Sequence, residues 1–334
     1  MCCLFGILDY KQNLTTWQKN HLLRKLSIAC EKRGTDATGI AFNRNGRMEI
    51  HKKPVAARHF HQKIPYGVNV VMGHTRLTTQ GDEKINYNNH PFKGHCQDMP
   101  FALAHNGVLY NEMKLRREFE LPATRIETDS YVAVQLIEKL GAFDLNAIQT
   151  MAEKVEGSFC FTLLDKDDNL YLVKGNNPLT IYHFEKLGIF VYASTEEILK
   201  KGLQKAGFGL YKHEEVDIKQ GEILILKSHG QVIREKFNTA KLDVYEPFWY
   251  GSGCCRPYNY SLSDTTFKLN TAKGMVYGTY LESLIDYGVN VGVAEEEILF
   301  LYENGFDEEE IEALLFSPDI LHEYVNELFE YGFA

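Results

Sequence analysis

Residues 68–81 read VNVVMGHTRLTTQG, an apolar run that ends in a polar cluster. The run Val68–Met72 predicts a buried strand, and Phe101–Ala104 predicts a second strand that leads into His105-Asn106-Gly107. A strand that ends in Gly, Asn and charged residues can hold polar groups rigidly at the edge of a sheet. Both stretches therefore predict strands that carry a functional site.

Helices and further strands are predicted on both sides of these two strands. A capping-box spacing at Thr15 and apolar residues at helical intervals predict a helix over residues 16–31. A second helix is predicted from Thr128, with Val132 and Leu136 on one face. Short apolar runs between turn residues predict five more strands: Ser158–Leu164, Leu170–Val173, Ile189–Ala193, Ile223–Leu226 and Val232–Lys236. This mixture predicts an α+β layered core.

Composition excludes several classes of protein. The chain of 334 residues is 44% hydrophobic and 24% charged, as in ordinary globular proteins. Its longest apolar runs fall far short of the roughly 18 residues of a membrane span, and residues 1–4 lack the features of a signal peptide. The cysteine count is seven, an odd number that includes two adjacent pairs. We therefore expect a cytoplasmic protein with no membrane association and no disulfide framework.

Acidic residues are concentrated at the C-terminal end of the chain. No Lys or Arg follows Lys273, and residues 274–334 hold 15 Asp and Glu, which excludes nucleic-acid binding through this segment. Apolar stripes predict three short acidic helices over residues 295–303, 308–316 and 319–331. Residues 239–273 show no periodicity and are interpreted as a linker or irregular extension.

Cys2 is the candidate nucleophile. Removal of Met1 would leave Cys2 with a free α-amino group, whose ordinary pKa of about 7.7 to 8 suits a general base for the thiol. On its own the residue is also compatible with a small buried hydrophobic side chain. The assignment therefore depends on the other motifs.

Six motifs occur in one order along the chain. They are Met1-Cys2-Cys3-Leu4-Phe5-Gly6-Ile7, Arg33-Gly34-Thr35-Asp36, Gly73-His74-Thr75-Arg76-Leu77-Thr78-Thr79-Gln80-Gly81, Asn89-His90-Pro91, His105-Asn106-Gly107-Val108 and Glu127-Thr128-Asp129. Together they resemble the class II glutamine amidotransferases, the N-terminal-nucleophile hydrolase domains found in glucosamine-6-phosphate synthase and amidophosphoribosyltransferase. The resemblance covers about residues 2–237.

The resemblance implies a four-layer αββα sandwich and a chemistry. Cys2 would attack the side-chain amide of L-glutamine, release ammonia and form a γ-glutamyl thioester that water hydrolyses. Asn106 and the backbone N–H of Gly107 would bind the oxyanion. No cofactor is implied.

Three residues are expected to bind glutamine. The planar fork of Arg76 suits the α-carboxylate, and Asp129, placed by the sequence in the first turn of a helix, suits the α-ammonium. Thr79 matches a family position that contacts glutamine. Taken singly, an Arg after a strand is usually a solvated or structural ion pair, and an Asp at a helix start is usually a cap.

The sequence departs from the family pattern at two positions near the site, and the motifs also contain three histidines. Cys3 replaces the usual Gly after the nucleophile, and Gln80 replaces a His common in the synthase branch. The histidines fit scaffold positions, and they do not have the spacing of metal ligands, so no metal is expected; they are His74, His90 and His105.

The C-terminal part shows no phosphate-binding loop, so we expect the ammonia to be used at an acceptor site on a partner protein. The expected domains are an amidotransferase domain over residues 1–238, a linker over 239–273 and an acidic helical module over 274–334. Two alternatives stay open: a stand-alone γ-glutamyl amide hydrolase, and a regulatory module that binds glutamine without turnover. Comparing free glutamine with γ-glutamyl amides as substrates separates the first, and binding without thioester turnover would identify the second.

Overall fold

Two antiparallel sheets form the centre of the computed structural model, which describes residues 2–97, 99–242, 279–303, 306, 308–315, 318–319, 321–322 and 325. With strands numbered in chain order, the first sheet runs β11 (Glu214–Glu215), β9 (Thr180–Phe184), β10 (Ile189–Ala193), β1 (Cys3–Asp9), β4 (Val70–Arg76), β2 (Ala37–Arg44) and β3 (Arg47–Lys53). The second runs β13 (Val232–Lys236), β12 (Glu222–Leu226), β8 (Leu170–Lys174), β7 (Gly157–Leu164), β6 (Met99–Leu109) and β5 (Phe92–Cys96).

Helices cover the outer face of each sheet. On the first sheet lie α1 (Thr16–Cys30) and α5 (Glu196–Lys205), and on the second lie α3 (Tyr131–Leu140) and α4 (Leu145–Lys154), with the short α2 (Glu112–Glu118) beside them. One apolar core lies under α1 and α5, another lies under α3 and α4, and a third fills the space between the sheets. The expected α+β fold, a four-layer αββα sandwich, is confirmed.

Strand β1 shows why this arrangement needs long apolar runs. Phe5 and Ile7 pack toward the helices, whereas Leu4 and Leu8 pack between the two sheets. Because successive side chains of a strand point to opposite faces, a strand buried on both faces must be apolar at nearly every position. The strand that follows Cys2 is thus fixed on both sides.

The five strands predicted in the second half of the chain are all present. The strands predicted over Val68–Met72 and Phe101–Ala104 are longer than predicted. Strand β4 continues through Arg76, and β6 continues through Leu109. Their polar clusters therefore lie within the ladders, where backbone pairing to neighbouring strands holds them. The second predicted helix begins at Tyr131 instead of Thr128, so Asp129 lies in the turn before α3 and not in its first turn.

The C-terminal helices α6 (Thr279–Asn290), α7 (Glu295–Glu303) and α8 (Glu308–Leu315) share an apolar core of their own. The first two predicted acidic helices correspond to α7 and α8, and most of the third, over 319–331, lies outside the described residues. The module meets α1 where Phe306 stacks on Trp17 and His21. Among the residues described, none of the helices is long and apolar enough to cross a membrane.

Candidate active site

Cys2 lies directly before β1 with only 9% of its surface exposed. Its thiol donates to the carbonyl oxygen of Leu77 over 3.5 Å, and Arg33 Nε donates to the Cys2 carbonyl oxygen over 2.8 Å. Burial raises the pKa of the Cys2 thiol above its ordinary value; the charge of Asp129 also raises this pKa, whereas the charge of Arg76 lowers it. The thiol therefore lies within electrostatic reach of both proposed charge-binding residues.

Arg76, the last residue of β4, is a buried cation bonded to neutral groups. Its side chain is 3% exposed and donates to Asn89 Oδ1 over 2.6 Å and to the carbonyl oxygens of Gln80 and Gly81 over 2.5 and 3.1 Å. Burial lowers the pKa of Arg76, and the charges of Cys2 and Asp129 are among those that raise it. All three acceptors are neutral, so the positive charge is held in place and available to an anion.

Asp129 is the matching buried anion, also 3% exposed. Its Oδ2 accepts the backbone N–H of Leu109 over 2.6 Å, and its Oδ1 accepts the hydroxyl of Ser130 over 3.1 Å. His105 Nδ1 lies 2.8 Å from the same Ser130 hydroxyl. Both donors to Asp129 are neutral, so its negative charge is held by dipoles and remains available to a cation.

Gly107 and Asn106 lie side by side in β6, opposite β7. Gly107 has φ of +149°, and a Cβ there would come within 1.9 Å of the Ser158 carbonyl oxygen. The Asn106 carbonyl oxygen accepts Asn177 Nδ2 over 2.7 Å, which fixes the backbone. On the side chain, Nδ2 lies 3.4 Å from Ser194 Oγ, and Oδ1 is buried without a partner among the described residues.

Thr79 and Gln80 lie exposed in the loop after β4. Gln80 Nε2 donates to Glu112 Oε1 and to the carbonyl oxygen of Glu127, each over 3.0 Å. On the other side, the N–H of Thr78 donates to Asp36 over 2.7 Å. The glutamine at position 80 therefore ties this loop to its neighbours.

The Cys3 side chain is accommodated away from the nucleophile. It is buried under α1, where its Sγ lies 2.9 Å from Cys30 Sγ. Because the side chains of Cys2 and Cys3 leave opposite faces of the chain at a strand, a side chain at position 3 need not enter the space around the Cys2 thiol.

The three histidines are buried. His74 Nε2 lies 2.9 Å from the His105 carbonyl oxygen, and the rings of His74 and His90 are 4.3 Å apart. Burial lowers the pKa of His74 to about 3 and lowers the pKa of His90 and of His105. Burial thus favours the neutral form of these rings. In the part of the chain that is described, no group of three or more His, Cys, Asp or Glu could hold a metal ion.

The structure thus groups Cys2, Arg76 and Asp129 electrostatically, and it joins Asn106 to β1 through Ser194, which accepts the N–H of Leu4. Thr79 lies in the loop whose next two carbonyl oxygens bind Arg76, and its own side chain has no hydrogen bond to this group among the described residues. Residues that the sequence analysis did not single out support the site. These are Arg33, Asn89, Ser130, Asn177 and Ser194. Arg33 and Asn89 lie inside the quoted motifs, which is the one signal that could have found them.

A family model and several curated proteins match this chain. Residues 74–201 match the family model described as a glutamine amidotransferase domain. The chain is 28% identical over 259 residues to glutamine–fructose-6-phosphate aminotransferase (isomerizing) of Staphylococcus aureus strain Mu50, covering 73% of this chain and 40% of that protein. The enzyme of the same name from Halalkalibacterium halodurans is 28% identical over 247 residues, covering 72% and 40%. The chain therefore spans about two fifths of the length of the curated relatives it matches.

The solved structures support the same fold. Glutamine phosphoribosylpyrophosphate amidotransferase from B. subtilis, complexed with ADP and GMP, has a TM-score of 0.56 and 22% identity, covering 71% of this chain and 49% of that one. This likeness bears on the fold, and the family match and the curated relatives bear on the family. Together these findings support a class II glutamine amidotransferase domain of the N-terminal-nucleophile hydrolase type in this chain.

Proposed function

We propose that this chain hydrolyses the side-chain amide of L-glutamine through Cys2 and supplies the ammonia to an acceptor site on a partner protein. One observation carries the proposal. Arg76 and Asp129 are buried, oppositely charged and bonded to neutral groups, and both lie within electrostatic reach of the Cys2 thiol. A buried cation and a buried anion held in this way complement the carboxylate and ammonium of an α-amino acid.

The reaction uses groups of this chain alone. The thiol proton of Cys2 passes to its own α-amino group, and the sulfur attacks the side-chain carbonyl carbon of glutamine. The carbon–nitrogen bond then breaks, the nitrogen takes up the proton, and ammonia leaves a γ-glutamyl thioester. Water attacks the thioester, which releases glutamate and restores the thiol.

Because the pKa of the Cys2 thiol is raised, the reaction needs a base at the site that accepts the thiol proton. A buried thiol loses its proton readily only to an acceptor at the site, and the α-amino group of Cys2 becomes that acceptor when Met1 is removed. Asn106 and the N–H of Gly107 stabilise the oxyanions formed before and after the thioester. Thr79 is assigned a lesser contact to glutamine because its side chain is neutral and exposed.

The test of this activity is equimolar release of glutamate and ammonia from L-glutamine by the full chain. A sample with Met1 removed should turn over glutamine, and a sample with a retained N-terminal extension should be inactive. Normal turnover by the extended protein would point to a side-chain base instead.

We assign the ammonia acceptor to a separate, more basic partner. The proposed division of the chain is an amidotransferase domain over 1–238, a linker over 239–273 and an acidic module over 274–334. Glu310 of the module accepts bonds from His21 and Lys25 of α1 over 2.9 Å each, so part of its charge is used within the chain. Other acidic side chains remain exposed: Asp286, Glu295 and Glu296. Exposed like charges of this kind attract a basic surface over a range of about 8 Å at physiological salt.

Neutralising these three exposed acids tests the docking proposal. The triple variant Asp286→Asn, Glu295→Gln, Glu296→Gln should keep glutaminase activity and bind the co-purifying acceptor enzyme more weakly, with less dependence on salt. A matched control neutralises three exposed acids of the amidotransferase domain: Glu214→Gln, Glu215→Gln and Asp217→Asn. Equal weakening in both triple variants would contradict docking through the acidic module.

A further inference from the structure

The hydroxyl of Ser194 lies between the strand that follows the nucleophile and the side chain of Asn106. Ser194 is fully buried directly after β10. Its Oγ accepts the backbone N–H of Leu4 over 2.8 Å, and its own N–H donates to the Leu4 carbonyl oxygen over 2.9 Å. Asn106 Nδ2 lies 3.4 Å from the same Oγ, which is long for a hydrogen bond.

In this arrangement two polar groups lack good partners. A serine hydroxyl donates one proton, and the amide nitrogen of Asn106 cannot accept it because it is itself a donor. At the other end of the amide, Asn106 Oδ1 is buried without a partner among the described residues. Cys3 also interacts with Ser194, but a sulfur atom is a weak acceptor compared with an amide oxygen.

A half-turn of the Asn106 amide about its Cβ–Cγ bond places an acceptor beside the hydroxyl. The oxygen then faces Ser194 Oγ, and a shift that shortens the present 3.4 Å separation lets it accept the hydroxyl proton while Oγ keeps the Leu4 N–H. The NH₂ group moves to the buried position that Oδ1 had occupied. The two ends of an amide are nearly equal in size, and the bond from Asn177 to the Asn106 carbonyl oxygen keeps the backbone fixed during the rotation.

We propose that Ser194 is a positioning residue, whose hydroxyl holds the Asn106 side-chain oxygen so that the NH₂ group faces the reacting carbonyl. The inference rests on the proposed function, because it deepens the role of Asn106 in binding the oxyanion. With the amide turned the other way, an acceptor oxygen would face the developing negative charge and oppose the reaction.

Kinetic measurements on four proteins test the assignment: the wild type, Ser194→Ala, Asn106→Ala and the double variant. Loss of an oxyanion donor costs about 10² to 10³ in kcat. We expect Asn106→Ala to fall in this range and Ser194→Ala to lower kcat about 10-fold, with KM changed less than about 2-fold in both. In the Asn106→Ala background, Ser194→Ala should have no further effect on kcat.

A merely structural role gives a different pattern. Ser194→Ala also removes the acceptor of the Leu4 N–H, and that damage would lower kcat by the same factor with or without Asn106. Equal factors in the two backgrounds would therefore overturn the proposal, as would unchanged kcat in folded Ser194→Ala. Ser194→Thr, which keeps the hydroxyl, should retain most of the activity. Ser27→Ala removes a buried hydroxyl from α1 and is the matched control.

Thermal unfolding of the same four proteins separates this inference from the proposed function. A hydrogen bond from Ser194 to Asn106 predicts that the two single losses of stability add up to more than the loss in the double variant. If the wild type bound or turned over no glutamine, the proposed function would fail, and this coupling would still decide whether Ser194 and Asn106 are bonded to each other. Additive losses would overturn the inference even in an active enzyme. Should Ser194→Ala not fold, Ser194→Cys takes its place in both cycles.

Discussion

The guanidinium of Arg76 donates to the side-chain oxygen of Asn89 over 2.6 Å, in a site where Asn89 is completely buried. Asn89 Nδ2 in turn donates to the Glu83 carbonyl oxygen over 2.8 Å, which sets the amide so that its oxygen faces Arg76. Asn89 therefore orients the guanidinium without neutralising it. An Asp at position 89 would have the same shape as Asn but would carry a negative charge, so it would neutralise Arg76.

Asn89→Asp should raise the KM for glutamine by at least about 10-fold and change kcat less. The new carboxylate would pair with Arg76 and compete with the carboxylate of the substrate. Steady-state kinetics measure the effect, and Asn89→Ala, which loses the orienting bond without adding a charge, is the comparison. A smaller KM effect for Asp than for Ala would mean that Arg76 does not bind the substrate carboxylate.

Arg76→Ala and Asp129→Ala should each raise the glutamine KM by about 10 to 150-fold. Charge-assisted hydrogen bonds in such sites contribute roughly 1.5 to 3 kcal/mol each. Thr79→Ala should have a smaller effect, since the Thr79 side chain is exposed and neutral. Unchanged KM in both charge variants would show that the amino-acid site lies elsewhere.

Gly107→Ala should destabilise the fold far more than Gly141→Ala. Both glycines have positive φ, but a Cβ at Gly107 would overlap the Ser158 carbonyl oxygen, whereas nothing lies within 4 Å of a Cβ at Gly141. We expect more than about 4 kcal/mol of lost stability for Gly107→Ala and about 1 kcal/mol for Gly141→Ala. Chemical denaturation measures both, and similar losses would contradict the crowding around the Gly107 backbone.

Buried His90 should make the fold sensitive to acid. Burial holds the pKa of His90 well below its ordinary value, so below about pH 6.5 the unfolded chain binds a proton that the folded chain does not. The free energy of unfolding therefore falls as the pH drops, by up to about 1.4 kcal/mol per pH unit for this one group. His90→Phe should reduce the slope between pH 6 and pH 5 by roughly that amount. His59→Phe, at an exposed histidine, is the control, and an unchanged slope in His90→Phe would argue that this ring is charged in the folded protein.

Although the predicted strand β13 is an exposed edge strand, most of the predicted strands are buried on both faces. Strands β7, β8, β10 and β12 are nearly continuous apolar runs for that reason. Strand β3 was not predicted, because it is an edge strand whose side chains are mostly half-buried and polar. Helix α5 was missed as well. It contains Gly202, which weakens the helical pattern and is needed because a Cβ there would come within 2.6 Å of Leu26.

The site was predicted where its residues belong to local motifs. Cys2, Arg76 and Asp129 each follow or precede a recognisable element, and the resemblance to the class II glutamine amidotransferases implied their roles. Ser194 could not be found in this way, because its contact with Leu4 joins residues 190 positions apart through the pairing of β1 with β10. A hydroxyl whose function depends on strand register has no signature in the sequence around it.

Hydroxylamine trapping tests most directly whether the sulfur of Cys2 forms a thioester with the γ-carboxyl group of glutamate. Hydroxylamine attacks a thioester to give γ-glutamylhydroxamate, which a colour reaction with iron measures. With glutamine present, the wild type and Cys3→Ala should form the hydroxamate, and correctly folded Cys2→Ala should form less than a few per cent as much. Hydroxamate formation by Cys2→Ala at the wild-type rate would contradict the account.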